Sequence, residues 1–250
     1  MKLFDLTGKN AVVTGGSRGL GKAMALGLAQ AGANIAIISR SEAKDVVSEI
    51  ESYGVKGVSV AFDISDIDNH AALVTEVTEK LGDVDILVNN AGIQRRHPSA
   101  EFPMDDWYTV MNVNANAVFS LCQQFGRPML ARGYGKIINI ASLLSFQGGF
   151  TVPAYAASKG AVMQMSKGLA NEWASKGVHV NCVAPGYMAT DMNEALIDDD
   201  VRSRQILERI PAGRWGNPED MQGAVIYLAS PASDYVDGQT IVVDGGWLGR

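Results

Sequence analysis

Asn10-Ala11-Val12-Val13-Thr14-Gly15-Gly16-Ser17-Arg18-Gly19-Leu20-Gly21 decides the fold class. Asn10 to Thr14 is a short apolar run of the kind that forms a strand buried on both faces. Glycines follow at once, and an apolar helical pattern continues to Ala31. Glycine at a strand-to-helix turn lets backbone approach a pyrophosphate closely, and the helix start adds free N–H groups and a positive dipole end. The spacing is Gly-x-x-x-Gly-x-Gly, unlike the Gly-x-Gly-x-x-Gly of other dinucleotide-binding turns. Gly15, Ser17, Arg18, Gly19, Leu20 and Gly21 are therefore candidate cofactor contacts. A ligand-free glycine turn is the bland alternative, and the strand–turn–helix context weighs against it.

Outward from this turn, apolar runs recur at Asn34–Ser39, Val58–Phe62, Ile86–Val88, Lys136–Ile140, Val178–Val183 and Thr240–Val243, with helical patterns between them. Such alternation predicts an α/β fold, a Rossmann-type doubly wound parallel sheet with helices on both faces. No repeat, linker or low-complexity segment interrupts residues 1–250, so one domain is expected. The stretch between the last two strands is longer than a crossover needs. Its excess, about residues 187–215, reads as a substrate lid. A long helix is expected from Asp105 to Arg132, with a bend or bound water near Asn114, since mid-helix amides cost propensity. Pro153 suits the first turn of a further helix.

A composition of 47% hydrophobic and 19% charged residues is that of a globular chain, not a disordered one. The net charge of −6 argues against nucleic acid as a partner. Cys122 and Cys182 lie in apolar segments and read as reduced, buried thiols of a cytoplasmic protein. The Met1-Lys2-Leu3-Phe4-Asp5-Leu6 start lacks a signal-peptide pattern. No apolar run approaches the ~20 residues that span a membrane.

Candidate site residues cluster at strand ends. Ser39 and Arg40 follow the second strand, where a carboxylate would accept from an adenine ribose and repel a 2′-phosphate. With Arg18 nearby and no carboxylate, two guanidiniums favour NADP, and NAD stays open as the alternative. Asp63 and Ile64 end the third strand, with Asp63 placed to meet the adenine amino group. Asn89-Asn90-Ala91-Gly92 end the fourth, and Gln94, Arg95 and Arg96 follow as candidates to hold a carboxylate. In an extended loop adjacent arginines point oppositely, so one of the two faces the pocket. His97 reads as structural. Tyr155-Ala156-Ala157-Ser158-Lys159 puts a phenol and an ammonium one helical turn apart. A nearby ammonium lowers a phenol pKa, which makes Tyr155 an acid or base, with Ser142 upstream to stabilise the substrate oxygen.

In order and spacing, Thr14-Gly15-x-x-x-Gly19-x-Gly21, Asn89-Asn90-Ala91-Gly92, Asn114, Ser142, Tyr155-x-x-x-Lys159, Pro185-Gly186 and Asp244-Gly245-Gly246 together resemble the short-chain dehydrogenase/reductase family. The resemblance implies a nicotinamide cofactor and a homotetramer. It implies Asn90 at the cofactor ribose, and Pro185, Gly186, Met188 and Thr190 near the nicotinamide. It also implies that Lys159 holds the nicotinamide ribose, and that Asn114 positions a water behind Lys159 for proton relay. Locally, Gly92-Ile93-Gln94-Arg95-Arg96-His97-Pro98 is similar to gluconate 5-dehydrogenases. Ser145-Phe146-Gln147-Gly148-Gly149, Ala184 to Thr190, Ile210 to Gly216 and Asp244 to Leu248 look more like 2-dehydro-3-deoxy-D-gluconate 5-dehydrogenases. A six-carbon sugar acid is the implied substrate, and Gln147 joins its candidate contacts. Members of the second group also use NAD. No metal is required, since Tyr155 and Ser142 handle the oxyanion. A cofactor-sensing protein on the same fold would be expected to lose Ser142, Tyr155 or Lys159, and all three are present. A reductase of large apolar substrates fits the double arginine less well.

Overall fold

Runs of Val, Ile and Ala without polar interruption leave both faces of a strand apolar, and such strands must be covered on both sides. In the computed structural model, residues 2–250 are described, apart from the side chains of Met192 and Ala195. Met1, the first residue of the amino-terminal stretch read above, lies outside the described residues. Seven strands form one sheet: β1 (Asn10–Thr14), β2 (Asn34–Ser39), β3 (Gly57–Ala61), β4 (Ile86–Asn89), β5 (Gly135–Ile140), β6 (Val178–Pro185) and β7 (Thr240–Val243). Their order is β3-β2-β1-β4-β5-β6-β7, and every pairing is parallel. The chain grows outward in one direction to β3, then restarts on the other side of β1 at β4, in register Ala11↔Ile86 and Val12↔Leu87. Ligands of open α/β sheets bind at such a switch point, outside the carboxyl ends.

The helices are α1 (Gly19–Gln30), α2 (Lys44–Glu51), α3 (His70–Leu81), α4 (Met104–Met111), α5 (Ala117–Arg132), α6 (Pro153–Trp173), α7 (Glu194–Ile197), α8 (Asp200–Arg209) and α9 (Gln222–Ala229). Successive strand residues point to opposite faces, and the two cores divide accordingly. Val12, Ile38, Leu87, Ile137 and Val180 pack with Leu73, Phe125 and Val162 of α3, α5 and α6. Ala11, Val13, Ile37, Val88 and Ile138 pack with Met24, Leu28, Val225 and Leu228 of α1 and α9.

The long helix expected from Asp105 to Arg132 is interrupted. A π-helical turn over Asn112–Asn116 separates α4 from α5. Such turns absorb an extra residue and recur at functional sites. Here the turn lets the buried Asn114 face the Ile93 backbone. Helix α1 opens inside the glycine turn, at Gly19, and Pro153 opens α6. A parallel bridge from Met188 to Gly216 closes off residues 187–215, and within them Ile206 and Ile210 pack on Leu143 and Trp247. Among the described residues, no helix is long and apolar enough to cross a membrane, and no cluster of side chains could hold a metal.

Candidate active site

The ends of β1 and β4 are stitched together by one threonine. Thr14 Oγ1 accepts from the backbone N–H groups of Asn90 (3.0 Å) and Ala91 (3.1 Å). In return Asn90 Nδ2 donates to the carbonyls of Thr14 (3.0 Å) and Gly15 (3.3 Å). This reciprocal pairing holds the glycine turn against β4. Gly15 sits at φ +65°, in the left-handed region that glycine adopts without strain. A Cβ at Gly21 would lie 2.2 Å from the Gly15 carbonyl oxygen, so only glycine lets α1 start this close to the turn. Arg18 precedes α1 without a side-chain cap, leaving the first N–H groups of the helix to a ligand. Close backbone approach and an uncapped helix start fit a pyrophosphate.

A cleft of about 1290 Å³ opens from this turn along the carboxyl edge of the sheet. It is lined by Gly15, Ser17, Arg18, Gly19, Leu20 and Gly21 at the turn, and by Ser39, Arg40, Asp63 and Ile64 beside β2 and β3. Asn90, Ala91, Gly92, Gln94, Arg95 and Arg96 continue the wall, with Tyr155, Lys159 and Thr190 opposite. Pro185, Gly186 and Met188, expected near the nicotinamide, fall outside this lining. Pro185 extends β6 alongside Val243, Gly186 abuts Asp244, and Met188 is buried at its bridge to Gly216.

At the adenine end, Asp63 Oδ1 accepts from the Ser65 backbone (2.9 Å) and hydroxyl (2.8 Å). These bonds, with a smaller contribution from Arg40, hold its carboxyl below the usual range. Arg18 meets Asp191 at 3.2 Å, so one of the two guanidiniums read for a 2′-phosphate already has a carboxylate partner. Arg40 has none among the described residues. His70, which nothing in the sequence singled out, supports Ile64 from behind. Its Nε2 lies 2.9 Å from the Ile64 carbonyl and its Nδ1 2.9 Å from the Ser120 hydroxyl. Burial lowers its pKa, so the ring is neutral, donating from Nε2 and accepting at Nδ1.

Helix α6 presents Tyr155 and Lys159 on one face. Lys159 is buried, its Nζ 2.6 Å from the Ile140 carbonyl and 5.8 Å from the Tyr155 ring centre. Burial brings the ammonium down to about 8. Burial also raises the Tyr155 phenol, with Ser142 acting in the opposite sense. The expectation that Lys159 lowers this phenol is therefore corrected. The ammonium is drawn to a strand carbonyl, and desolvation of the phenolate sets the direction of the shift. Ser142 caps the short turn Leu143–Ser145, its Oγ accepting from the Leu144 N–H at 3.2 Å. Ser145 bonds the Ser142 N–H (3.2 Å) and donates to the Lys159 carbonyl (2.7 Å), tying the serine loop to α6. Asn114 Oδ1 accepts from the Ile93 N–H (2.8 Å), while Nδ2 donates to the Ile93 carbonyl (2.9 Å) and Ser158 Oγ (3.2 Å). Its amide is thus bonded to protein partners on both its oxygen and its nitrogen. Gly92 lies between Asn114 and Lys159: a Cβ there would sit 3.2 Å from Asn114 Oδ1 and 3.8 Å from Lys159 Nζ.

Arg95 and Arg96 both line the cleft, where only one was expected to face it, and they differ in their partners. Arg95 Nε lies 3.4 Å from Asp106 Oδ1, whereas Arg96 donates to Gln94 Oε1 at 3.4 Å and has no carboxylate partner among the described residues. His97 Nε2 is 2.6 Å from Asp106 Oδ2, consistent with a structural histidine. Gln147 and Ser142 both lie outside the cleft lining, and Gln147 accepts from Trp247 Nε1 at 3.4 Å. Arg214 is bound to both Asp220 oxygens, at 2.6 and 2.9 Å. A cluster missed in the sequence, Tyr187 with Trp215 and Trp247 at 5.6 and 4.6 Å, covers Leu143 beside the serine. Aromatic residues scattered through a loop carry no periodic signal, so spacing does not reveal it.

A family model described as short chain dehydrogenase matches residues 9–201. The chain is 52% identical over 251 residues to a 2-dehydro-3-deoxy-D-gluconate 5-dehydrogenase of Dickeya dadantii (strain 3937), covering 100% of this chain and 99% of that one. It is 44% identical to a gluconate 5-dehydrogenase of Gluconobacter oxydans (strain 621H), covering 98% and 96%. A solved gluconate 5-dehydrogenase of Burkholderia cenocepacia J2315, in complex with NADP and tartrate, superposes with a TM-score of 0.96 at 45% identity, covering 100% and 98%. With the parallel sheet, the glycine turn and the Tyr155–Lys159 pair at its carboxyl edge, these likenesses establish that the chain belongs to the short-chain dehydrogenase family, as an NAD(P)-dependent oxidoreductase acting on CH–OH groups.

Proposed function

We propose that the protein interconverts a secondary alcohol and a ketone on a six-carbon sugar acid, as a 2-dehydro-3-deoxy-D-gluconate 5-dehydrogenase. The observation that carries this reading is a cleft running from the glycine turn past Tyr155 to a guanidinium, Arg96, without a carboxylate partner among the described residues. One fixed positive charge suits a small substrate with one carboxylate. The full-length likeness to a relative of that activity supports the choice. Gluconate 5-dehydrogenase is the second reading, supported by the superposition with a protein of that name.

Gly15, Ser17, Gly19 and Gly21 would hold the pyrophosphate, Asn90 and Lys159 the nicotinamide end, and Ile64 the adenine end. Bound there, a nicotinamide dinucleotide supplies the hydride acceptor for oxidation and the donor for reduction. NADP is preferred, because Arg40 is free to meet a 2′-phosphate and no carboxylate at the end of β2 opposes it. Tyr155 takes the proton of the substrate hydroxyl in oxidation and returns it to the carbonyl oxygen in reduction. Ser142 hydrogen-bonds that oxygen and stabilises its developing charge. Asn114 fixes the loop at Ile93, and the family resemblance supports its positioning a water behind Lys159 for proton relay. Residues 187–215 cover the substrate as a lid, within one domain spanning residues 1–250. The family resemblance supports a homotetramer in the cytoplasm.

The test is steady-state kinetics with 2-dehydro-3-deoxy-D-gluconate, D-gluconate and neutral polyols, each with NADP and NAD. The first acid is expected to give the highest kcat/KM, and with NADP. Turnover of polyols equal to that of both acids would overturn the sugar-acid reading.

A further inference from the structure

We propose that Asp106, on α4 outside the cleft, is a positioning residue that selects which of two adjacent arginines meets the substrate carboxylate. The inference rests on the anionic-substrate reading above and adds the device that makes one guanidinium available. In an extended segment, residues two apart project to the same side and the one between them to the other. Residues 93–98 carry no regular structure, and the contacts of residues 94–97 follow this alternation: Gln94 meets Arg96, while Arg95 and His97 share Asp106. Asp106 takes Arg95 on Oδ1 at 3.4 Å and His97 on Oδ2 at 2.6 Å. Both partners flank Arg96, so holding them on the α4 side turns Arg96 away from Asp106.

The anchoring extends beyond one carboxylate. The His97 ring meets Phe102 edge-on at 5.2 Å, and its backbone N–H donates to the Thr151 carbonyl at 3.0 Å. Thr151 is the one non-glycine among the described residues with a left-handed φ, +63°. A β-branched residue held there reports a backbone that its surroundings over-determine. The loop bearing Arg96 is thus clamped between α4 and the segment that follows the serine turn. Asp106 also absorbs the charge of Arg95. An unpaired Arg95 would offer the carboxylate a second, misplaced guanidinium, and the substrate would populate a pose with the wrong carbon toward Tyr155.

The prediction is a split between KM and kcat that depends on substrate charge. Arg96→Ala comes first. It should raise KM for the sugar acid at least about tenfold, with little effect on a neutral polyol of equal length. If the acid-to-polyol selectivity stays where it was, the clamp reading falls, and this proposal with it. If Arg96→Ala behaves as expected, Asp106→Asn should raise KM for the acid roughly three- to tenfold, leaving NADP affinity and polyol KM unchanged. Asp106→Glu, which keeps the charge on a longer arm, should recover part of the loss. Wild-type acid selectivity in Asp106→Asn would overturn the positioning role while the Arg96 clamp stands. Thermal midpoint and NADP titration separate a general loss of fold, in which acid and polyol suffer together, and that pattern too would overturn the proposal. The double variant Arg95→Ala/Asp106→Asn closes the cycle: if Asp106 acts by sequestering Arg95, the combined cost is less than the sum, and strict additivity contradicts it.

Discussion

The two ends of the cleft are built from different materials. At the cofactor end short side chains lock onto main chain: Thr14 Oγ1 and Asn90 Nδ2 satisfy backbone groups across β1 and β4, and Gly21 lets a helix begin against a carbonyl. At the substrate end the contacts are charged side chains that are partly exposed, such as Arg95 and His97 with Asp106. Backbone geometry tolerates no added atom, whereas surface ion pairs are individually weak and exchange partners readily.

The largest effect should come where the two ends meet. Tyr155→Phe removes the proton carrier and keeps the ring, so turnover should fall ~100- to 10,000-fold with NADP binding intact. Steady-state rates beside an NADP titration check this, and near wild-type turnover would remove Tyr155 from the chemistry.

Gly21→Ala probes the rigid end. Its methyl would meet backbone that cannot move aside, so stability should fall by about 1–3 kcal/mol, with weakened NADP affinity. Unchanged urea midpoint and affinity would mean that this end has slack after all, and the contrast would dissolve.

The pH response comes next. Burial raises the Tyr155 pKa, so at neutral pH the phenol carries its proton and is ready as an acid. Oxidation needs the phenolate, whose fraction grows up to about tenfold per pH unit below the pKa. The oxidative kcat/KM should therefore climb with pH and bend near about 8, where Lys159 loses its charge, while the reductive rate gains nothing. A flat oxidative profile from about pH 6 to about 9 would show that Tyr155 does not carry this proton in the free enzyme.

Arg40→Asp, at the open margin of the cofactor end, should have the smallest effect. It should shift the NADP-to-NAD ratio of kcat/KM towards NAD by roughly tenfold, the worth of one charge-assisted bond and its reversal. An unaltered ratio would assign the reading of the 2′-phosphate elsewhere and turn attention to Arg18, for which Asp191 already competes.

What was legible in the sequence is what depends on neighbours along the chain. The apolar runs marked β1 and β2 to the residue, because a strand covered on both faces admits no polar break, and the edge strand β7 was marked as closely. The glycine turn, Pro153 at the start of α6 and the helical spacing of Tyr155 and Lys159 are likewise local properties of backbone and period. Other features depended on partners far apart in the chain, and only the folded chain decided them. Asn114 turned inward to Ile93 through a π turn, His70 came to rest behind Ile64, and the Lys159 ammonium went to Ile140 rather than to the phenol. Desolvation reversed the expected direction of the Tyr155 pKa, and burial is a property of the whole packed molecule. The sequence placed two arginines side by side, equal by any local criterion. A carboxylate ten residues further on, brought close by the path of the loop onto α4, made them different.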